Sequence, residues 1–301
     1  MSKLGAMKRT LLLFVALIFA ILLRPQPSFG QNYVTTEDDR KVAGELIRGL
    51  MDSGKSGSTA EMMTEAALKL LGTPYVSGTL DEDPSSEELR IYLTRTDCIL
   101  FVETCLNLAL TVKASEDGAY PTFEDFGANV ARSRYRGDPP YSYSDRVHYT
   151  TEWIRRQEGI LRDVTLDLGG EEYDHLIHFM SRHPESYKQL STNSANPRAA
   201  LDLRRISEVE KDLNKLPMTY IPKNKIASAA GKIKTGDIIC FVSAVDGLDI
   251  AHVGIAIVTD GKAGFVHASQ KEGKVVIDSK TIEEYVKPRS NLSGIKVVRP
   301  L

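Results

Sequence analysis

Residues 99–110, Ile-Leu-Phe-Val-Glu-Thr-Cys-Leu-Asn-Leu-Ala-Leu, place apolar side chains around nearly the whole circumference of a helix. A helix that is apolar on all sides has to be enclosed by other elements. The run therefore predicts a rigid, buried central helix around which the rest of the chain is arranged. Asp97-Cys98 opens it. Asp97 or Thr96 can cap the first turn, and a helix N-terminus carries partial positive charge and unpaired N–H groups. A cysteine in that place is expected to have a lowered thiol pKa and to ionise near neutral pH. Its amide N–H is also placed to donate to an oxyanion, a contribution of roughly 3–4 kcal/mol in a transition state. The other reading of Cys98 is a small buried hydrophobe.

The first residues stand apart from this core. Lys3, Lys8 and Arg9 precede an unbroken apolar run, Leu11 to Leu23, followed by Pro25, Pro27 and Ser28-Phe29-Gly30. A basic start, a short apolar stretch and small residues before a cut describe a secretory signal peptide, 1–30. The run is short of the roughly 20 residues that span a bilayer, so no stable membrane span is expected. The expected location is periplasmic or secreted. Cys98, Cys105 and Cys240 are the only cysteines, which does not make a disulfide framework. Cys98 and Cys105 lie about 10 Å apart on one helix, too far to bridge. Cys105 and Cys240 are expected to be buried. A net charge of −2 argues against a nucleic-acid partner.

Residues 31–301 are read as one catalytic domain of α+β class. Helices are predicted over Glu37–Leu50, from Thr59 to Gly72, over Glu171–Met180 and over Ile206–Leu216, with a strand-like piece at Leu89–Leu93. From residue 233 the pattern changes to short strands: Ile238–Val242, Ala251–Val258, Phe265–Ala268, Lys274–Ile277 and Ile295–Val298. Helices first and strands later point to an antiparallel sheet.

Two histidines fall on these strands. Asp260-Gly261 favours a two-residue hairpin turn, which sets Gly254 opposite His267. His252 then shares a face with His267 as its diagonal neighbour, about 7–8 Å away along the backbone. A slip of one residue would separate them. A thiol, a base and a group that orients the base make a nucleophilic enzyme. Cys98 is the candidate nucleophile, His252 the general base and His267 the orienting residue. Small neighbours, Ala251 and Gly254, leave room beside His252 for a substrate. Each histidine can instead be an ordinary structural residue.

Four pieces in order, Gly72-Thr-Pro-Tyr75, Asp97-Cys98, Gly236-Asp237 and His252-Val-Gly-Ile255 followed by Val266-His267-Ala268, resemble the NlpC-type cell-wall hydrolases, papain-like cysteine enzymes that cut peptidoglycan. The resemblance implies a papain-like core, with a Cys-bearing helix packed on an antiparallel sheet. It gives Cys98, His252 and His267 the roles above and makes Tyr75 an oxyanion or substrate contact. The chain departs from the family where Ile99 and Leu100, rather than small residues, follow the cysteine. It departs further where 154 positions separate Cys98 from His252. The excess is read as a helical substrate-binding insertion, about 113–230. Within it, Arg132-Ser-Arg-Tyr-Arg136 and Ser144 to Ile154, with Gly78-Thr-Leu80 and Gly247 to His252, resemble a branch of N-acetylmuramyl-L-alanine amidases.

That branch implies hydrolysis of the amide between muramic acid and L-alanine in peptidoglycan fragments, with no cofactor. Arginines can pair with peptide carboxylates, and aromatic faces can stack on sugars. Arg146, His148, Tyr149 and Trp153 are therefore candidate contacts, or else ordinary helix packing. Alternatives are an endopeptidase cutting between D-glutamate and a diamino acid, and a non-catalytic muropeptide-binding module. Glu171-Glu-Tyr-Asp-His175 with His178 and His183 could set histidines on one helix face. The i, i+4 histidine pair of zinc hydrolases is absent, so no metal is expected and a solvated face is preferred.

Overall fold

A computed structural model describes residues 33–53, 57–115 and 119–301. The proposed signal peptide lies outside the described residues. Among the described residues, three helices come first: α1 (Glu37–Asp52), α2 (Thr59–Lys69) and α3 (Cys98–Ala114). Thr36 and Ser58 each close a capping box on α1 and α2, so Thr59 opens α2 and Ser58 caps it. Asp97 caps α3, its Oδ1 accepting the Leu100 N–H at 2.9 Å. Phe101, Val102, Cys105, Leu106, Leu108 and Val112 are all at or below 1% exposure, as an all-round apolar helix requires.

The chain continues through α4 (Phe123–Arg134), α5 (Thr150–Arg156), β1 (Leu161–Asp163), β2 (Glu171–Tyr173), α6 (Phe179–Arg182), α7 (Ala199–Leu213), β3 (Met218–Pro222) and α8 (Ile226–Ala230). Then come β4 (Ile238–Ser243), β5 (Ile250–Thr259), β6 (Lys262–Ser269), β7 (Lys274–Ile277), α9 (Ile282–Val286) and β8 (Leu292–Pro300). The eight strands form one sheet of order β2-β3-β8-β4-β5-β6-β7, with β1 also paired to β8. Every strand pairing is antiparallel. The protein is a mixed α+β fold, as expected.

The sheet is covered on both faces. Ile238, Cys240, Val242, Val253, Ile255 and Val266 join the core with α1, α2 and α3. Ile239, Phe241, Ala256, Phe265 and Ile295 join a second core with α8 and α9. Burial of both faces explains why β4 reads as a continuous apolar run rather than an alternation.

Three expectations are corrected. The stretch 113–230 is not simply helical: it supplies β1, β2 and β3 to the sheet and builds its own small core around Tyr143, Tyr149, Ile177 and Ile206. Glu171–Met180 is not a helix, because Glu171–Tyr173 pairs with Met218–Tyr220. Leu89–Leu93 is buried but contributes only an isolated bridge, Arg90 with Val34.

Candidate active site

Cys98 is the first residue of α3 and is half-buried, whereas Cys105 and Cys240 are fully enclosed; all three are free thiols. Its position is held by the chain before it. Thr96 bridges Tyr75: the Val76 N–H donates to the Thr96 carbonyl at 2.9 Å and the Thr96 N–H to the Pro74 carbonyl at 3.0 Å. The Tyr75 N–H donates to the Gly273 carbonyl at 2.9 Å. The Tyr75 ring is thereby kept near Cys98. Burial pushes its phenol up to about 12, with Cys98 and Asp97 adding to the effect.

The sulfur meets β5 where the hairpin opens. The paired stretch of β5 and β6 ends at Ile255 opposite Val266. Two residues further on, the Val253 backbone N–H comes near enough to the Cys98 sulfur to favour its ionised form slightly. The electrostatics correct the expected low thiol pKa. Burial pushes the Cys98 thiol up to about 12, and the neighbouring Asp97 carboxylate acts in the same direction. Desolvation of a thiolate and an adjacent acid outweigh the helix terminus and the amide donors. The balance favours the thiol over the thiolate. Burial also raises the Asp97 carboxyl, against the hydrogen bond from Leu100.

The turn at Asp260-Gly261 has the expected register, Thr259 opposite Lys262 and Ile255 opposite Val266. His252 and His267 share a face. His252 Nε2 lies 2.6 Å from His267 Nδ1, with the rings edge to face at 85°. A bulge helps aim the first ring: Phe241 pairs with His252 but Val242 pairs with Ile250, which leaves Ala251 unpaired. Bulges commonly re-aim side chains beside active sites. Gly254 does not make room for a substrate. A Cβ there would meet the Val266 carbonyl at 2.9 Å and His267 Cβ at 3.2 Å, so its missing side chain is what lets the hairpin close on His267.

His252 is lowered to about 3, first by burial, then by His267 and Arg289. Burial lowers His267 too, while Asp278 and Glu272 oppose it and Arg289 reinforces it. His267 is 2% exposed, and its Nε2 lies 3.4 Å from Asp278 Oδ2. Asp278 was not anticipated. Its signal was available: Val276 pairs with His267, and a residue two positions further along falls on the same face.

Cys98 and His252 line one cavity of about 210 Å³ together with Arg146, His148, Tyr149 and Trp153. All four anticipated contacts are thus brought to its wall, but their polar groups turn inward. Arg146 is 4% exposed, paired with Asp81 and 3.6 Å from Glu87. His148 Nε2 is 2.8 Å from the Tyr143 carbonyl. The Tyr149 hydroxyl donates to Glu210 at 2.7 Å and accepts the Met180 N–H at 2.9 Å. The Trp153 N–H donates to Ser133 at 3.0 Å. These residues shape the cavity more than they offer free polar groups to it. The buried ion pair Arg134–Glu103 also lines it and was missed. Ala251 and His252 are shared with a second cavity of about 490 Å³ on the side of His267, Tyr285 and Arg289.

The acidic and histidine cluster at 171–183 does not converge. His175 Nε2 faces the Leu248 carbonyl at 3.2 Å, and His178 Nε2 lies 3.5 Å from Asp246. Among the described residues no three His, Cys, Asp or Glu side chains are grouped to hold a metal, and no helix is long and apolar enough to cross a membrane.

Residues 65–295 match the model of the AmiA-like family, described as N-acetylmuramoyl-L-alanine amidase-like. Among solved structures, an N-acetylmuramoyl-L-alanine amidase from Bacteroides uniformis is 34% identical, with a TM-score of 0.71 over 81% of this chain and 100% of its own. A Bacteroides fragilis protein described as a xylanase candidate is 35% identical, with a TM-score of 0.68 over 78% of this chain and 99% of its own. A Legionella pneumophila protein, 22% identical, shares the fold with a TM-score of 0.65 over 88% of this chain and 96% of its own. A comparison with curated proteins finds no match.

Proposed function

The chain belongs to the AmiA-like, N-acetylmuramoyl-L-alanine amidase-like family, and from that premise we propose that it is an exported cysteine amidase that cleaves the bond between N-acetylmuramic acid and L-alanine in peptidoglycan fragments. One observation carries the mechanism. A half-buried thiol at the start of a buried helix shares a cavity with an imidazole that is itself held by a second imidazole at 2.6 Å.

His252 engages His267 through Nε2, so its Nδ1 is the nitrogen assigned to the thiol. The resting pair is neutral, a thiol beside an imidazole, because burial disfavours both charges. His252 takes the Cys98 proton as the sulfur attacks the lactyl carbonyl carbon. The oxyanion is received by the Cys98 N–H and by the Tyr75 hydroxyl, which its raised pKa keeps protonated as a donor. The imidazolium then protonates the leaving amine of L-alanine, and water attacks the thioester with His252 again as base. The basic and apolar N-terminal stretch supports export with removal of residues 1–30, and a papain-like ancestry accounts for the order of Tyr75, Cys98, His252 and His267.

The xylanase description of one relative invites a different chemistry. Glycoside hydrolysis ordinarily uses two carboxyl groups flanking the bond. Glu103 is the only carboxylate lining this cavity among the described residues, and Arg134 holds it. Defined muramyl peptides, a D-glutamyl–diamino acid peptide and a xylan oligosaccharide, each followed by mass spectrometry, separate the candidates. Release of an L-alanine-terminated peptide by the wild type and its loss in Cys98→Ala are the expected results. Full activity of folded Cys98→Ala would overturn the proposal.

A further inference from the structure

We propose that Asp278 is a positioning residue that sets the direction of proton transfer through His267 and His252, so that the base faces Cys98 with a free lone pair. The inference rests on the reading of Cys98 and His252 as nucleophile and base, and extends it by one residue beyond the histidine pair.

A neutral imidazole has one N–H donor and one acceptor nitrogen. His252 Nε2 and His267 Nδ1 are 2.6 Å apart, so one donates and the other accepts. Geometry at that contact is silent on which. Asp278 decides it. His267 Nε2 is buried with no hydrogen-bond partner of ordinary geometry, and the oxygen it faces is Asp278 Oδ2, at 3.4 Å. An ionised carboxylate only accepts, so His267 carries its proton on Nε2. His267 Nδ1 is then the acceptor, His252 Nε2 the donor, and His252 Nδ1 the unprotonated nitrogen. Reversing any one of these assignments protonates His252 Nδ1 and removes the base.

The carboxylate is built into place for this. Asp278 follows directly on β7, its N–H donates to the Phe265 carbonyl at 2.9 Å, and Oδ1 accepts the Lys280 N–H at 2.8 Å. That leaves Oδ2 directed at His267. The other groups around the ring are Glu272 in the β6–β7 turn, Arg289 after α9, and Tyr285 on α9 with its ring centre 5.8 Å from that of His267. The 3.4 Å separation is long for a hydrogen bond and is expected to tighten as His252 gains its proton, a behaviour common to catalytic hydrogen bonds.

The test begins with the unmodified full-length chain. In protein labelled with 15N-histidine, ring-nitrogen shifts at pH 7 should show His267 protonated on Nε2 and His252 protonated on Nε2. A proton on His267 Nδ1 overturns the proposal whatever the activity of any variant. Asp278→Asn and Asp278→Ala are then compared by the same spectra, by thermal unfolding and by the pH profile of kcat/KM on a muramyl peptide. Mixed tautomers and a fall in kcat on the order of 10- to 100-fold with little change in KM are expected, by analogy with the loss of an outer partner from a metal-bound histidine. Asp278→Glu should recover part of the loss. Folded Asp278 variants with wild-type ring shifts and pH profile would overturn the assignment, provided Cys98→Ala is inactive. An active Cys98→Ala would instead remove the parent reading while leaving the ring-shift result to stand or fall by itself.

Discussion

His252 and His267, on adjacent strands of one hairpin, meet nitrogen to nitrogen at 2.6 Å with their rings at 85°. Edge-to-face contact at that distance lets one ring hold the other without covering its remaining nitrogen. Removing either ring should therefore harm turnover differently. His252→Ala removes the base and should lower kcat by roughly 100- to 10,000-fold, the span of general acid–base contributions. His267→Ala leaves a base that is free to rotate and should be the milder change. KM for a muramyl peptide should stay within a few-fold in both, as steady-state kinetics would show. Equal, small effects of the two would contradict the relay.

Cys98 should alkylate slowly at neutral pH in the free protein. Its thiol is pushed up to about 12, so the rate with iodoacetamide should keep rising through pH 10 without a plateau. The half-buried Cys98 should still react before the enclosed Cys105 and Cys240. Asp97→Asn keeps a good cap while removing the charge that raises the thiol, so labelling at pH 8, followed by mass spectrometry, should accelerate. A plateau near neutrality would show a preformed thiolate.

His252 also makes stability depend on pH. Its folded value is about 3 against an ordinary 6.5. A depressed value means that the unfolded chain binds the proton more readily, so this stability is complete above 6.5 and is lost as pH falls from there toward 3. The three thiols work on the other side. Cys98, Cys105 and Cys240 are all raised above 9.0, so their contribution is complete below 9.0 and lost as pH rises past it. Thermal unfolding should be flattest between these limits. His252→Gln should remove a loss on the order of 3 kcal/mol between pH 7 and pH 4. Identical acid limbs for the two proteins would rule this origin out.

What was legible in the chain was what local pattern dictates. An apolar run around a whole helix can only be buried, and Asp260-Gly261 fixes a register that carries His252 and His267 to one face. What was missed depends on distant partners. Glu171–Tyr173 becomes a strand because Met218–Tyr220 comes to lie beside it, and Leu161–Asp163 because β8 does. Three-residue strands leave too little alternation to read. The thiol pKa was misjudged for the same reason: the helix terminus is local, but the burial that outweighs it comes from the assembled fold. Asp278 is the intermediate case, readable from the β6–β7 register once His267 is taken as the reference.

Tyr149 should prove to be a structural rather than a substrate-binding residue. Its ring lines the cavity, but its hydroxyl is committed to Glu210 and to the Met180 N–H. Tyr149→Phe leaves a buried carboxylate and an amide short of a partner, at a cost of about 1–3 kcal/mol in unfolding free energy. Denaturant titration should detect that loss while KM for a muramyl peptide stays within about threefold, since the aromatic face remains. A large KM increase in a fully stable variant would restore Tyr149 as a polar contact.

The Arg134–Glu103 pair offers the sharpest separation of stability from function. Both side chains are about 5% exposed, Glu103 lies on the buried helix that Cys98 opens, and both line the cavity. Arg134 also donates to the Arg90 carbonyl, so the guanidinium ties α4 to the chain that leads toward Cys98. Removing one partner strands a charge in the interior. Glu103→Leu or Arg134→Leu alone should therefore cost roughly 3–5 kcal/mol. Replacing both by leucine removes the stranded charge and should recover much of that cost, because the desolvation penalty of a buried pair is comparable to its attraction. The double variant should then fold with a near-normal midpoint. Yet its cavity would have lost this ion pair from its lining, and kcat/KM on a muramyl peptide should remain depressed by at least tenfold. A double-mutant cycle in urea with parallel kinetics measures both quantities. Full activity in the stable double variant would show that the pair serves the fold alone.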